Sequence, residues 1–148
     1  MNNNLGPYIE KIDSIILKIK DGLVSKYNIK NVDLKEIIDT HQTVFHKYAW
    51  LFSYNELIKS VHKYNEASKD AHLKQIIFLT TLHFLQKLLY GINLNQVEST
   101  RLDEYREFLS KNDLNYVYKK FLRFDLSNQS IYKQFEEYGF NAFGFFDT

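Results

Sequence analysis

The stretch Leu73-Lys74-Gln75-Ile76-Ile77-Phe78-Leu79-Thr80-Thr81-Leu82-His83-Phe84-Leu85-Gln86-Lys87-Leu88-Leu89-Tyr90, with Gly91 directly behind it, decides the fold. It is the most apolar run of the chain, and its large residues occupy nearly every side of a helix. A helix of that kind needs others around it. Gly91 stands where a residue of left-handed conformation ends such a helix. Lys74, His83, Gln86 and Lys87 interrupt the run and would be costly at mid-bilayer, where a span needs about 20 nearly uncharged residues. The expectation is a buried central helix over residues 71–90, not a membrane span.

Upstream, Pro7 suits a first helical position, because its missing N–H would have no intrahelical partner there. Ile9, Ile12, Ile16, Ile19 and Leu23 recur at steps of three and four, which predicts a helix to about residue 25. After a connection over 27–32, Asp33 and Glu36 form a capping-box pattern. Ile37, Val44, Tyr48, Leu51, Leu57, Ile58 and Val61 then keep helical spacing to about residue 67. A helix of about 30 residues spans about 45 Å; a bend near 52–55 would suit that length, though no Pro or Gly forces one. Ser68 or Asp70 caps the central helix.

Downstream, residues 91–99 read as a polar turn. Thr100 with Asp103 starts a shorter helix through Leu109, and Asn112 or Asp113 caps another to about Phe124. Ser127 to Ser130 opens a last helix ending near Gly139. The tail 140–148 is aromatic and glycine-punctuated, so it either folds back on the core or meets another surface. Together these elements predict an all-α, single-domain bundle of about five to six helices spanning 1–148.

Composition agrees. With 45% apolar residues, 12 Phe and 11 Tyr, core material is plentiful, whereas five Gly and one Pro are too few for a β-sandwich or barrel. One domain of 148 residues buries about two thirds of its unfolded surface. The 19 basic and 18 acidic residues are scattered, for a net charge of +1, and form no stripe that would neutralise a phosphate backbone. Nucleic acid is therefore not an expected partner. The absence of cysteine excludes disulfides, thiolate metal sites and cysteine nucleophiles. Met1-Asn2-Asn3-Asn4 carries neither a basic region nor an apolar signal core, so the expected location is the cytoplasm.

Catalytic patterns are missing. His41 and His46 are five apart on adjacent helix sides, and His62, His72 and His83 are distant, with no His-Glu-x-x-His or Glu-x-x-His among them. No metal is expected. Gly6, Gly22, Gly91, Gly139 and Gly144 are too dispersed to cradle a phosphate, and no Gly-x-Ser-x-Gly occurs. The adjacent carboxylates Asp103-Glu104 and Glu136-Glu137 point to different helix sides. Tyr116, Tyr118, Lys119, Lys120, Phe121, Arg123 and Phe124 interleave rings with bases as an RNA-stacking surface would. A helix that buries Val117, Phe121 and Phe124 under lysine stems gives the same pattern, and that reading is adopted. No catalytic residue and no cofactor is assigned.

Two stretches are open to two readings each. In His46-Lys47-Tyr48-Ala49-Trp50-Leu51-Phe52-Ser53-Tyr54, Trp50 is the sole tryptophan, and the small Ala49 and Ser53, with Ala67 further on, let another helix approach. Trp50, Ser53 and Tyr54 share a side, so their polar tips need partners, either as a packing anchor or as a ligand contact. In Gly91-Ile92-Asn93-Leu94-Asn95-Gln96-Val97-Glu98-Ser99-Thr100-Arg101, Glu98 and Arg101 are three apart and placed to pair. Gln96 is placed to satisfy carbonyls at the end of the central helix.

Together these stretches resemble the helical N-terminal extension of a subgroup of bacterial acyl-CoA dehydrogenase family flavoproteins. That extension carries His-x-x-Ala-Trp-x-x-Thr/Ser-Tyr and, further on, Gly-Ile-x-Met-Ser-Gln-x-Glu-x-x-Arg. His46, Ala49, Trp50, Ser53 and Tyr54 match the first pattern. Gly91, Ile92, Gln96, Glu98 and Arg101 match the second, with Leu94 for Met and Asn95 for Ser. The resemblance is strongest over 35–105, and 139–147 is similar, more loosely, to the family's Gly-x-x-x-x-Phe-Gly stretch. In the family, the flavin site, the acyl-CoA pocket and the glutamate base lie in the dehydrogenase core that follows the extension, so the resemblance transfers no catalytic or cofactor residue. It implies a non-catalytic helical module, a detached or split fragment that docks on a dehydrogenase core or forms a homo-oligomer. The alternatives are a free-standing helical interaction or regulatory protein, and a small-ligand site near Trp50.

Overall fold

The computed structural model describes residues 4–127. Helix α1 (Gly6–Lys26) carries the isoleucine stripe inward: Tyr8, Ile9, Ile12, Ile15, Ile16, Ile19 and Leu23 are all buried. Near its far end, a Cβ added to Gly22 would run into the ring of Phe108. Glycine costs about 1 kcal/mol relative to alanine inside a helix, and here it admits that ring.

The single long helix predicted from Asp33 to Ala67 is two helices. Asp33 caps α2 (Leu34–Thr40) by accepting from the Lys35 N–H at 3.2 Å. The interruption falls at His41, with φ −124° and ψ 36°, and α3 (Gln42–Ala67) crosses 52–55 unbroken. Tertiary contact accompanies the turn. The His41 ring centroid lies 4.5 Å from that of Tyr27, which also meets Phe45 at 5.6 Å, so the chain folds around the end of α1. The Thr40 hydroxyl donates back to the Glu36 carbonyl, a local bond that competes with helix continuation.

Asp70 caps α4 (Ala71–Tyr90), accepting from the N–H groups of His72 and Leu73. Ile77, Phe78, Leu79, Leu82, Leu85, Leu88 and Leu89 are buried, while the polar His83 and Gln86 stay exposed. Helix α3 packs along α4 on one side and against α1 on another. Gly91 does end α4, but at φ 151° and ψ 119° rather than in the left-handed helical region. That extended, positive-φ backbone sends the chain straight into strand β1 (Ile92–Asn93). The predicted turn is thus a small hairpin. Strand β1 pairs antiparallel with β2 (Ser99–Thr100), Ile92 opposite Thr100 and Asn93 opposite Ser99.

The short helix that follows is of 3-10 type, Leu102–Phe108, kinked at Tyr105. Helix α5 (Lys111–Ser127) is capped by Ser110, whose Oγ accepts from the Asp113 N–H at 3.1 Å, rather than by Asn112 or Asp113. Val117, Phe121 and Phe124 are buried, as the lysine-edged reading of this helix requires. One hydrophobic core joins α1, α3, α4, the 3-10 helix and α5, so the described residues form an all-α bundle with six helices and one two-stranded ribbon. No described helix is long and apolar enough to cross a membrane. The predicted last helix and the aromatic tail lie outside the described residues.

Candidate functional site

Helix α3 has two different sides. Leu51, Asn55 and Ile58 face the core. On the other side, His46, Ala49, Trp50 and Ser53 are exposed, Trp50 at 40%. Four of the five residues of the first motif therefore face outward, and only Tyr54 turns toward the bundle. Ring contacts cross from one side to the other: His46 to Trp50 at 6.5 Å, Trp50 to Tyr54 at 6.4 Å, and Tyr54 edge-on to Phe84 of α4 at 6.0 Å. The expectation that Trp50 and Ser53 find polar partners is not met. Neither side chain makes a hydrogen bond within the described residues, and both residues are exposed.

The second motif is pinned by its backbone. Asn95 Oδ1 accepts from the N–H of Val97 at 2.9 Å and of Glu98 at 2.7 Å, while the Glu98 carbonyl accepts from the N–H of Leu94 at 2.9 Å. Gln96 is exposed and caps no carbonyl of α4. Arg101 pairs not with Glu98 but with Asp103, Nε to Oδ1 at 2.7 Å. Strand β2 packs on α3, and Lys47 of α3 lies 3.7 Å from Glu104. The second stretch thus meets helix α3 through β2, and Lys47 of the first stretch reaches Glu104, just beyond the second. Among the described residues, no hydrogen bond, ion pair or ring contact joins Gln96, Glu98 or Arg101 to Trp50.

Two polar clusters escaped the sequence reading. Asn55, 1% exposed, donates through Nδ2 to Asp13 Oδ1 at 2.8 Å, and Lys59 reaches the same oxygen at 3.0 Å. Its signal was a polar side chain standing at helical spacing between Leu51 and Ile58. Asp113, 7% exposed, takes Lys11 at 2.6 Å and Lys18 at 2.8 Å on its two carboxylate oxygens. Those hydrogen bonds, Lys11's first, hold its carboxyl well below the usual carboxylate range. Its signal was the pair of lysines seven apart beside the isoleucine stripe.

Phenols inside the bundle are kept neutral by burial. Desolvation pushes Tyr105 up to about 12 and raises Tyr8 and Tyr118 further. Their hydroxyls serve structure: Tyr8 donates to the Val117 carbonyl and Tyr118 to the Leu89 carbonyl. His62 Nε2 stands 2.7 Å from Glu66 Oε1 on the same helix. Among the described residues no group of three or more His, Cys, Asp or Glu is arranged to hold a metal ion. A surface groove of about 520 Å³ is lined by Asp103, Arg106, Lys111, Asn115 and Tyr118, away from Trp50. Its lining offers both charge signs and no activated nucleophile. Compared with known proteins, the chain matches no protein-family model, no curated protein and no solved structure.

Proposed function

We propose that the chain is a non-catalytic helical module that docks through the outward side of α3, on a partner protein or on a second copy of itself. One observation carries the reading. His46, Ala49, Trp50 and Ser53 project to solvent from a helix whose opposite side is anchored in the core by Leu51, Asn55 and Ile58. A packing anchor would point the other way. Tryptophan is also enriched at contact surfaces, where it often carries much of the binding energy.

The resemblance to the N-terminal extension of acyl-CoA dehydrogenase family proteins fits this role. In that reading the flavin, the acyl thioester and the glutamate base belong to a dehydrogenase core, and this module is a docking element for it in the cytoplasm. The same exposed side also serves the alternative, a free-standing helical interaction or regulatory protein. Size-exclusion chromatography of the chain, alone and mixed with a flavin-loaded dehydrogenase core of the resembled family, tests the proposal. Self-association or co-elution that Trp50→Ala abolishes supports it. A well-folded chain that does neither contradicts it.

A further inference from the structure

Seven of the exposed residues of α3 follow one another at alternating steps of four and three: His46, Trp50, Ser53, Leu57, Ser60, Tyr64, Ala67; Phe52, 44% exposed, lies off this series. This is the spacing of a coiled-coil seam, drawn on the side away from Leu51, Asn55 and Ile58. Within the seam, size alternates. Trp50, Leu57 and Tyr64, exposed by 40%, 40% and 62%, hold one heptad position, and Ser53, Ser60 and Ala67 hold the other. Single exposed apolar residues are ordinary, but three aligned along one helix are a surface in search of a cover.

The pattern says what covers it. In a parallel pair like positions face each other, which would crowd the large side chains and leave gaps at the small ones. Turned antiparallel, each large residue meets a small one of an identical helix. Two such alignments exist, and charge separates them. In one, Glu56 faces its own symmetry mate, a like-charge clash. In the other, Trp50 meets Ala67 of the second copy, Leu57 meets Ser60, Tyr64 meets Ser53, and Glu56 on the flank meets Lys63. Two-fold symmetry forms each of these contacts twice. Lys63 is exposed and has no ion pair among the described residues, while Glu56 is held 2.7 Å from Lys59.

We infer that a second copy of this chain docks antiparallel along the outward side of α3, with Trp50 set on Ala67 and Glu56 on Lys63. The inference rests on the docking reading above and names its partner.

Because the chain lacks cysteine, single introduced thiols report the alignment without background. Oxidised equimolar mixtures of Ser53→Cys with Tyr64→Cys chains, and of Leu57→Cys with Ser60→Cys chains, are expected to cross-link. Ser53→Cys with Leu57→Cys, the pairing of the rejected alignment, is expected not to. By analytical ultracentrifugation, Glu56→Lys is expected to weaken the dimer about tenfold, since two attractions become repulsions. Adding Lys63→Glu to the same chain restores it. These residues lie at the surface, so matching circular dichroism spectra will verify that each variant is folded. A dimer indifferent to the charge reversal, or one that cross-links at the rejected pair, overturns the inference. So does a chain that stays monomeric at every accessible concentration. If that monomer still binds a dehydrogenase core, the docking proposal survives and only the self-pairing falls.

Discussion

The Tyr8 hydroxyl donates to the Val117 carbonyl at 2.6 Å, across 109 residues of sequence. This bond fastens the first turns of α1 to the middle of α5. Phe124 adds an edge-on ring contact with Tyr8 at 5.4 Å, and Lys11 and Lys18 add the pair of bonds to Asp113. One side of the bundle is thus held by specific polar contacts as well as by apolar burial. Among the described residues, the outward side of α3, away from the core, carries the exposed Trp50, Leu57 and Tyr64.

Replacing Tyr8 by Phe removes the hydroxyl and leaves the ring. The Val117 carbonyl lies within α5, so the loss is that of one ordinary hydrogen bond, about 1 kcal/mol. Urea unfolding will read it as a lower midpoint with an unchanged slope.

Asp113→Asn probes the lysine clamp through pH. The folded carboxyl is depressed below its unfolded value of about 3.9, so its stabilisation is fully present above that value. It is lost as pH falls through the folded value. The variant will therefore be less stable than the parent at pH 7, and the gap will close as the pH drops below about 4. Lys11 and Lys18 are partly exposed, so high salt will narrow the gap as well.

Two glycines fail for different reasons. At Gly22 the added methyl of alanine meets the Phe108 ring and costs about 1–3 kcal/mol by overpacking. At Gly91 nothing lies within 4 Å, but φ of 151° is hostile to a side chain, at a cost of about 1–3 kcal/mol. Trimming Phe108 to Leu will rescue Gly22→Ala in thermal melts, since the clash is with that ring. It will leave Gly91→Ala unchanged.

A small-ligand site beside Trp50 predicts quenching of its emission by flavin adenine dinucleotide or an acyl-CoA. The docking proposal predicts a flat titration with both. Saturable quenching by either would move the protein into the ligand-binding class.

Local spacing made much of the bundle legible. The Ile9-to-Leu23 stripe, the Asp70 cap and the buried leucines of α4 follow from periodicity and capping chemistry within one helix. What the sequence withheld was tertiary. The Thr40 bond to Glu36 is too ordinary a local cue to mark a break at His41, and the Tyr27 ring packed beside it comes from outside the helical pattern. Leu57 keeps helical spacing with the core residues, yet it is 40% exposed. Helix α3 carries two apolar stripes, and periodicity alone does not say which one faces in. Arg101 stands three residues from Glu98, a helical pairing distance, but its extended backbone (φ −151°, ψ 161°) directs it to Asp103 instead. The outward direction of His46, Ala49, Trp50 and Ser53 was not legible in the sequence.

The emission maximum of Trp50 tests the docking claim most directly, because it is the sole tryptophan and lies on the surface in question. Followed from dilute to concentrated protein, and again on adding a dehydrogenase core, it is predicted to shift to shorter wavelength as a partner covers the indole. An emission that stays at the solvent-exposed value under both conditions would contradict the claim.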